Sequence, residues 1–331
     1  MGTGVSIRKF WRFIGLLIFI FILLRLDWGE MRINLSKANY FLIFIAVLLN
    51  VPQVWLKAVR WRMLLGVQNI KITNNDAFTY YCNAVYLGII TPGRIGEVAK
   101  AFFLKNKGMT TLSHALSSVV VDRGFDLYFL YFVAMVGVLI LQPWKGAELF
   151  GCIGLLSCAL PFVVFVYKDS LEQLSLMLYK KALFPMVGKR VQGSTQEFVA
   201  GVRQIIGIWL WKPLALTCTS YIIFFGQCFL VAISLDIQIN FFVITLIMAM
   251  TNIFSFLPIS VAGLGTRETA LLFLLAPQGL LFDEVIAFSV GIFFVFYLGG
   301  ALLGGGVWLV RPVQLTSDRN DTTHCHPKDV K

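Results

Sequence analysis

Two short stretches of the chain place an arginine and a glutamate beside a proline and glycines, with apolar sequence on both sides. The first is Pro92-Gly93-Arg94-Ile95-Gly96-Glu97, and the second is Gly263-Leu264-Gly265-Thr266-Arg267-Glu268, which follows Pro258. A charge at the centre of a bilayer costs roughly 2.5–3.5 kcal/mol on insertion scales, so ionisable residues within apolar spans indicate function by default. Because two such stretches recur far apart in the sequence, we interpret them as a site.

Binding of a phosphate group is the chemistry that these residues suit. An arginine can hold a phosphate through two parallel hydrogen bonds, and a helix N-terminus adds unpaired N–H groups and partial positive charge. We predict that Arg94 and Arg267 bind the phosphate, while Glu97 and Glu268 hold the arginines in place and exchange a proton. Arg94 and Glu97 would share a face if Gly96 continues a helix. The alternative is that each Arg–Glu pair is a structural lock between helices.

The prolines and glycines of both stretches are predicted to interrupt helices. Proline cannot continue a helix without losing a hydrogen bond, and glycine lets the backbone approach a ligand closely. The predicted hinge residues are Pro92, Gly93, Gly96, Pro258, Gly263 and Gly265. A second group of glycines, Gly299-Gly300 and Gly304-Gly305-Gly306, instead predicts close helix packing.

Other charged residues near the first stretch are further candidates for substrate contact. Lys100 lies one turn after Glu97 and is predicted to pair with it or with a lipid head group. Asp122, Arg123 and Asp126 form a third polar group at a predicted helix boundary near the inner surface. Charges at helix ends can reach water, so the sequence leaves open whether this group is functional or structural.

The composition determines the class of protein that must position these residues. The chain is 58% hydrophobic, has a mean hydropathy of +0.80 and carries 14% charged residues, against about 25% in soluble domains. Its apolar runs are continuous, unlike the alternating strands of membrane barrels. We therefore predict an all-α polytopic membrane protein, whose backbone polar groups are paired within helices.

The net charge of +11 is distributed as in a membrane protein, which argues against nucleic acid as a partner. Lys57, Arg60 and Arg62 follow an apolar run, and more basic residues fill the region 168–212. Such clusters are typical of cytoplasmic segments that contact anionic head groups. The tryptophans, Trp61 among them, lie near predicted span ends and are interpreted as an interfacial belt.

The predicted topology has about six full spans and two re-entrant hairpins in one domain, residues 1–312. The first span is Phe10–Leu24, a retained signal anchor. A cytoplasmic hairpin joins Ala77–Ile90 to Val98–Leu104, and a second hairpin, with Thr269–Pro277, enters from outside. Opposite hairpins predict an inverted repeat. Both termini are expected in the cytoplasm, with a basic loop over 168–212 and a polar, disordered tail over 313–331.

Two further spans are predicted with boundaries set by charges. The second span, Tyr40–Val59, is closed by Arg60 and Arg62, and a helix over 112–121 is separated by Asp122-Arg123-Gly124 from a span over 125–142. No phosphate-binding lysine loop, metalloprotease motif or hydrolase nucleophile motif occurs in the sequence. We therefore expect no catalytic residue, no cofactor and no metal site.

The motifs resemble those of the lysylphosphatidylglycerol synthase transmembrane family, which also includes flippase-like and UPF-type membrane proteins. The resemblance is carried by the first stretch, by Val121-Asp122-Arg123 and by the second stretch with Leu257-Pro258, and it runs from about Phe10 to Arg311. It implies a multi-helix inner-membrane domain with re-entrant elements that moves a lipid with a modified head group between leaflets. The best understood members also carry a soluble aminoacyl-transferase domain. This chain ends at Lys331 without one, so we expect no lysine transfer.

The first hypothesis from the sequence is a flippase for a phosphate-bearing, anionic lipid in the bacterial plasma membrane. Two alternatives stay open at this point. One is an enzyme of glycolipid or polyprenyl-phosphate biosynthesis, and the other is a scaffold subunit for a neighbouring envelope enzyme. The sequence does not predict the lipid, the energy source or the oligomeric state.

Overall fold

The computed structural model describes residues 36–91, 96–159, 189–206, 211–256 and 265–311. These residues form helices joined by turns, and no strand occurs within the described ranges. The predicted all-α fold is therefore confirmed. The predicted first span, Phe10–Leu24, and the predicted tail, 313–331, lie outside the described residues.

The helices are numbered here in chain order. They are α1 (Tyr40–Leu48), α2 (Asn50–Val67), α3 (Asn74–Ile90), α4 (Ala99–Asn106), α5 (Leu112–Leu141), α6 (Ala147–Ser157), α7 (Lys189–Ile206), α8 (Trp211–Ser234), α9 (Phe241–Phe256), α10 (Thr266–Leu275), α11 (Phe282–Phe293) and α12 (Gly299–Val310). A 3-10 turn, Ala276–Gln278, follows α10, and a π-helical turn, Phe294–Leu298, joins α11 to α12.

Within the described ranges, four helical stretches are long and apolar enough to cross a membrane. They are Tyr40–Val67, Leu112–Leu141, Trp211–Ser234 and Phe282–Val310, and each exceeds the roughly 20 residues that a crossing needs. Two shorter apolar helices accompany them, over 147–157 and 241–254. The chain is therefore a multi-pass membrane protein. The orientation of the termini and the inverted repeat stay predictions.

Two helix boundaries predicted from charged residues are wrong. Helix α5 runs without interruption through Asp122, Arg123 and Gly124, and α2 continues past Arg60 to Val67. The reason is tertiary: Asp122 and Asp126 lie one turn apart and face Arg60 of the neighbouring helix. Since each charge meets its opposite inside the bundle, neither helix has to end in water.

The structure contains a helix on each side of the predicted break in the first hairpin. Helices α3 and α4 pack against each other, and the hydroxyl of Thr91 accepts a hydrogen bond from the backbone N–H of Gly96 at 2.7 Å. Gly96 opens a 3-10 turn and lies so close to Leu87 and Gly88 that a Cβ would meet their backbone. Because Gly96 has no side chain, the backbone that precedes α4 can lie directly against α3, the other helix of the hairpin. Pro92, Gly93 and Arg94 lie outside the described residues.

The second hairpin pairs α9 with α10, which also pack against each other. Gly265 precedes α10 with φ of 85°, a backbone conformation that residues with a Cβ rarely adopt. The predicted hinge role of Gly265 thus has a conformational basis. Pro258 and Gly263 lie outside the described residues, and the side of the membrane from which each hairpin enters stays a prediction.

Glycines of the α12 region determine how closely it approaches its neighbours. A Cβ at Gly304 would lie 2.7 Å from Cβ of Tyr86 and 2.8 Å from the carbonyl oxygen of Cys82 in α3, and one at Gly300 would lie 3.2 Å from Ile89. At Gly306 nothing lies within 4 Å. The predicted close packing is therefore confirmed at Gly300 and Gly304, whereas Gly306, two residues further on, lies on a different face of α12 and packs against none of the described residues there.

We expect Gly304→Leu to destabilise the protein by about 1–3 kcal/mol, because the new side chain would push α12 away from the backbone of α3. Thermal unfolding in detergent would measure the effect. Gly306→Leu is the matched control, two residues along the same helix, and should leave the midpoint near that of the wild type. Equal stability of both variants would contradict the close contact at Gly304.

Candidate functional site

Arg60 of α2 is fully buried and lies between two carboxylates of α5. Its guanidinium donates to Asp122 Oδ1 at 2.9 Å and to Asp126 Oδ1 at 2.8 Å. Further hydrogen bonds go to the hydroxyl of Thr217 in α8 at 2.7 Å and to the backbone carbonyl of Asp122 at 3.1 Å. Helices α2, α5 and α8 are therefore joined around one arginine.

Lys100 of α4 occupies the other side of Asp122. Its ammonium donates to Asp122 Oδ2 at 2.8 Å and lies 4.0 Å from the ring centroid of Tyr81 and 5.2 Å from that of Trp61. Tyr81 also donates its hydroxyl to the same carboxylate oxygen at 3.2 Å. The prediction that Lys100 pairs with Glu97 or with a lipid head group is wrong, because the return of α4 against α5 places it beside Asp122.

Two cations lie at the edge of this arrangement. Lys57 Nζ is 3.3 Å from Asp126 Oδ2, and the Arg123 guanidinium pairs with Glu97 and lies 3.6 Å from Asp126. Their side chains are 15% and 21% exposed, whereas those of Arg60, Lys100 and both aspartates are buried. Ligands could therefore approach the arrangement from Lys57 and Arg123.

We call this network the charge cluster and define it by seven residues: Lys57, Arg60, Glu97, Lys100, Asp122, Arg123 and Asp126. Ion pairs connect all seven. Four members are cations and three are carboxylates, so at their ordinary ionisation one positive charge has no counter-ion within the cluster. Removing charges from water is costly unless opposite charges meet them. The excess charge therefore favours an anion at the cluster's accessible edge.

Glu97 connects the cluster to the first hairpin. Its side chain lies against Gly88 of α3, where a Cβ would come 2.7 Å from Cγ of Glu97. Glu97 and Arg123 thus hold the start of α4 to the middle of α5. The sequence identified Glu97 but not the glycine that makes room for it.

Arg60 and Lys57 are the site residues that the sequence prediction missed. Both were predicted to be topology signals, yet the exposed fraction of Arg60 is 0%. The signal lay in the spacing: Lys57 and Arg60 are three residues apart, and Asp122 and Asp126 are four apart, so each pair shares one helix face. Trp61 was also predicted wrongly, because it is buried and donates its indole N–H to Ser118 at 3.1 Å.

Arg267 and Glu268 form a second buried group at the start of α10. Glu268 Oε1 lies 2.5 Å from Arg267 Nη2 and accepts a hydrogen bond from Ser289 Oγ of α11 at 2.7 Å. Its other oxygen accepts from the backbone N–H of Gly265 at 2.6 Å. Glu268 therefore satisfies the helix N-terminus and neutralises Arg267 at the same time.

Aromatic rings complete the surroundings of Arg267. The guanidinium carbon lies 5.9 Å from the ring centroid of Phe293 and 5.8 Å from that of Tyr297. Tyr297 belongs to the π-helical turn, whose carbonyl at Val295 accepts a hydrogen bond from Asn50 Nδ2 at 2.9 Å. Arg267 Nη1 is buried and has no hydrogen-bond partner within the described part of the chain. A ligand could therefore accept a hydrogen bond from Nη1 without displacing any of the described residues.

The predicted site residues thus fall into two groups in the structure. Glu97, Lys100, Asp122 and Arg123 meet in the charge cluster, while Arg267 and Glu268 contact each other and residues of α11 and its π-helical turn. Arg94 lies outside the described residues. Asp122 and Asp126 prove to be buried members of one network.

Comparison with known proteins gives matches over most of the chain. The family model described as the lysylphosphatidylglycerol synthase TM region matches residues 12–304. Two proteins of Methanothermobacter thermautotrophicus, each described as a UPF0104 membrane protein, are 20% and 22% identical over 273 and 282 residues. These alignments cover 77% and 80% of this chain and 81% and 82% of the two relatives. No solved structure matches.

Proposed function

We propose that this chain, which belongs to the family of the lysylphosphatidylglycerol synthase TM region, moves the head group of a phosphate-bearing lipid from one membrane leaflet to the other. Family membership and multi-pass helical fold make it a membrane protein. The lipid would be anionic, and we expect both termini on the cytoplasmic side of a bacterial plasma membrane. The chain itself would make or break no covalent bond.

The observation that carries this proposal is the excess positive charge of the charge cluster. Four cations face three carboxylates in an apolar bundle, and two of those cations are partly accessible. A lipid phosphate would balance the one positive charge left over among these seven residues, and arginine is well suited to hold it through two hydrogen bonds. Intramembrane ionisable residues commonly mark such substrate pathways.

Arg123 is the residue at which binding would be coupled to movement. Its guanidinium is divided between Glu97 beside the first hairpin and Asp126 on its own helix. A phosphate that took the place of Glu97 would break one of the two ion pairs that hold the start of α4 to α5, the other being Lys100–Asp122. The hairpin could then move relative to the rest of the bundle, as a binding-driven shift between two states requires.

Arg267 would form a second binding site for the same phosphate. Its Nη1 is a buried donor without a partner among the described residues, whereas the helix N-terminus beside it is already occupied by the Glu268 carboxylate. The sequence predicts that Arg94 also contacts the phosphate. The lipid would meet these arginines in turn or together.

Reconstituted vesicles provide the test. We expect Arg123→Gln to lower the transfer rate of a fluorescent phosphatidylglycerol roughly 10- to 100-fold, the factor that corresponds to one hydrogen bond to a charged group. Accessibility of the fluorophore to a membrane-impermeant quencher measures the rate. Lys105→Gln, which removes an exposed cation at the end of α4, is the matched control and should transfer normally.

Two results would contradict the proposal. One is normal transfer by a correctly folded Arg123→Gln variant. The other is a change in the mass of the lipid after incubation with the wild type, since chemical modification would favour an enzyme. Arg94→Gln belongs in the same series, because the sequence assigns that arginine to the phosphate.

A further inference from the structure

Residues of α3 and α12 line a groove on the side of the bundle. Its volume is about 460 Å³, and Gly306 is one of the residues that line it. Phe78 of α3 and Leu303 and Val307 of α12 line its apolar part. A Cβ at Gly306 would meet no atom of the described residues within 4 Å, so a larger side chain at this position would enter the groove.

One end of the groove is polar and basic. Asn75 and Arg311 line it there, and Arg311 is exposed. A second guanidinium lies close by, because Arg62 donates to the side chain of Asn74 at 2.9 Å. The acidic residue in this turn is Asp76, which accepts a hydrogen bond from the hydroxyl of Thr73 at 2.7 Å. Two guanidinium groups, those of Arg62 and Arg311, therefore face one carboxylate at this end.

The rest of the α12 end is apolar and uncovered within the described ranges. Leu309 is 84% exposed and Val310 is 80% exposed, as expected for side chains that face hydrocarbon at the end of a spanning helix. Arg311 follows directly, at the position where basic residues mark the cytoplasmic interface. Apolar walls and an interfacial arginine match the two parts of a phospholipid, its acyl chain and its phosphate.

We propose that this groove binds one acyl chain of an anionic phospholipid, whose phosphate lies at Arg311. Arg311 belongs neither to the charge cluster nor to the Arg267 group, so the proposal does not depend on lipid transfer. A free phosphate ion would leave the apolar walls uncovered. A zwitterionic lipid would gain less at Arg311, because anionic head groups attract each nearby basic residue more strongly.

Photolabelling of the full-length protein in phosphatidylcholine nanodiscs tests this site. The probe is phosphatidylglycerol with a photoactivatable acyl chain, and mass spectrometry locates the adducts. We expect adducts on the peptides that contain Phe78, Leu303 and Val307. Arg311→Gln should reduce them about fivefold, the factor that corresponds to the loss of one basic residue near an anionic surface.

Two glycine variants separate occupation of the groove from damage to the fold. Gly306→Phe places a ring in the groove and should abolish the adducts. Gly226→Phe is the matched control, because a Cβ at Gly226 of α8 also meets nothing within 4 Å, and its labelling should equal that of the wild type. Equal labelling of Gly306→Phe and Gly226→Phe would overturn the proposal.

Two other results would also overturn it. In the first, a phosphatidylcholine probe labels the protein as strongly as the phosphatidylglycerol probe, and Arg311→Gln does not reduce the labelling. This result would indicate an unselective lipid boundary. The second is an absence of adducts together with a disulfide between Gly306→Cys and Leu17→Cys in an otherwise cysteine-free chain. That disulfide would identify the chain's own N-terminal segment as the occupant.

Discussion

Asp122→Asn is expected to lower the free energy of unfolding by about 3–5 kcal/mol, because it leaves buried cations without their counter-ion. Asp122 is fully buried and accepts from Arg60 at 2.9 Å and from Lys100 at 2.8 Å. Both cations are themselves buried. Asparagine fills the same space, so the effect would come from charge rather than from packing.

Unfolding by sodium dodecyl sulfate in mixed micelles would measure this loss. Glu148→Gln serves as the control, because that carboxylate is exposed at the start of α6 and its removal should cost less than about 1 kcal/mol. The double variant Asp122→Asn with Lys100→Met should be more stable than Asp122→Asn alone, since one of the stranded cations is gone. Wild-type stability of Asp122→Asn would show that the carboxylate is not the counter-ion of these cations.

The class of fold could be predicted from composition and apolar runs alone. Continuous hydrophobic stretches predict spanning helices because backbone groups must be paired in lipid. Pro92-Gly93 predicts a break because proline cannot continue a helix, and α3 and α4 end and begin on either side of it. These features depend on local sequence, which is why they were predictable.

Partners of the buried charges could not be predicted in the same way. A basic residue after an apolar run is equally compatible with an interfacial signal and with a buried ion pair. Arg60 forms a buried ion pair because α5, more than 60 residues further along the chain, places Asp122 and Asp126 beside it. The partner of Lys100 likewise depends on the packing of α4 against α5, so it is determined by the tertiary fold.

The same distinction applies to the second group. Adjacency already predicted that Arg267 and Glu268 interact, and their side chains meet at 2.5 Å. The hydroxyl of Ser289 and the ring of Tyr297 come from a distant helix and its π-helical turn. No pattern in the sequence indicates that turn, in which the buried carbonyl of Val295 accepts a hydrogen bond from Asn50 of α2.

The pair of substitutions Arg267→Gln and Glu268→Gln should separate a binding site from a structural lock. We expect Arg267→Gln alone to lower lipid transfer roughly 10- to 100-fold, since it removes the charged donor for the phosphate. It should also destabilise the protein, because Glu268 stays buried without its counter-ion. The double variant has no uncompensated charge, so its stability should recover.

Transfer by the double variant is the decisive measurement. If Arg267 binds the phosphate, the rate should stay as low as in Arg267→Gln, because the donor is still missing. If the pair is only a lock, stability and transfer should recover together. Ser289→Ala is the matched control: it removes the hydroxyl hydrogen-bonded to both side chains but leaves both charges, so its transfer should exceed that of Arg267→Gln. We expect the first outcome, since Nη1 of Arg267 is a buried donor that no acceptor among the described residues satisfies.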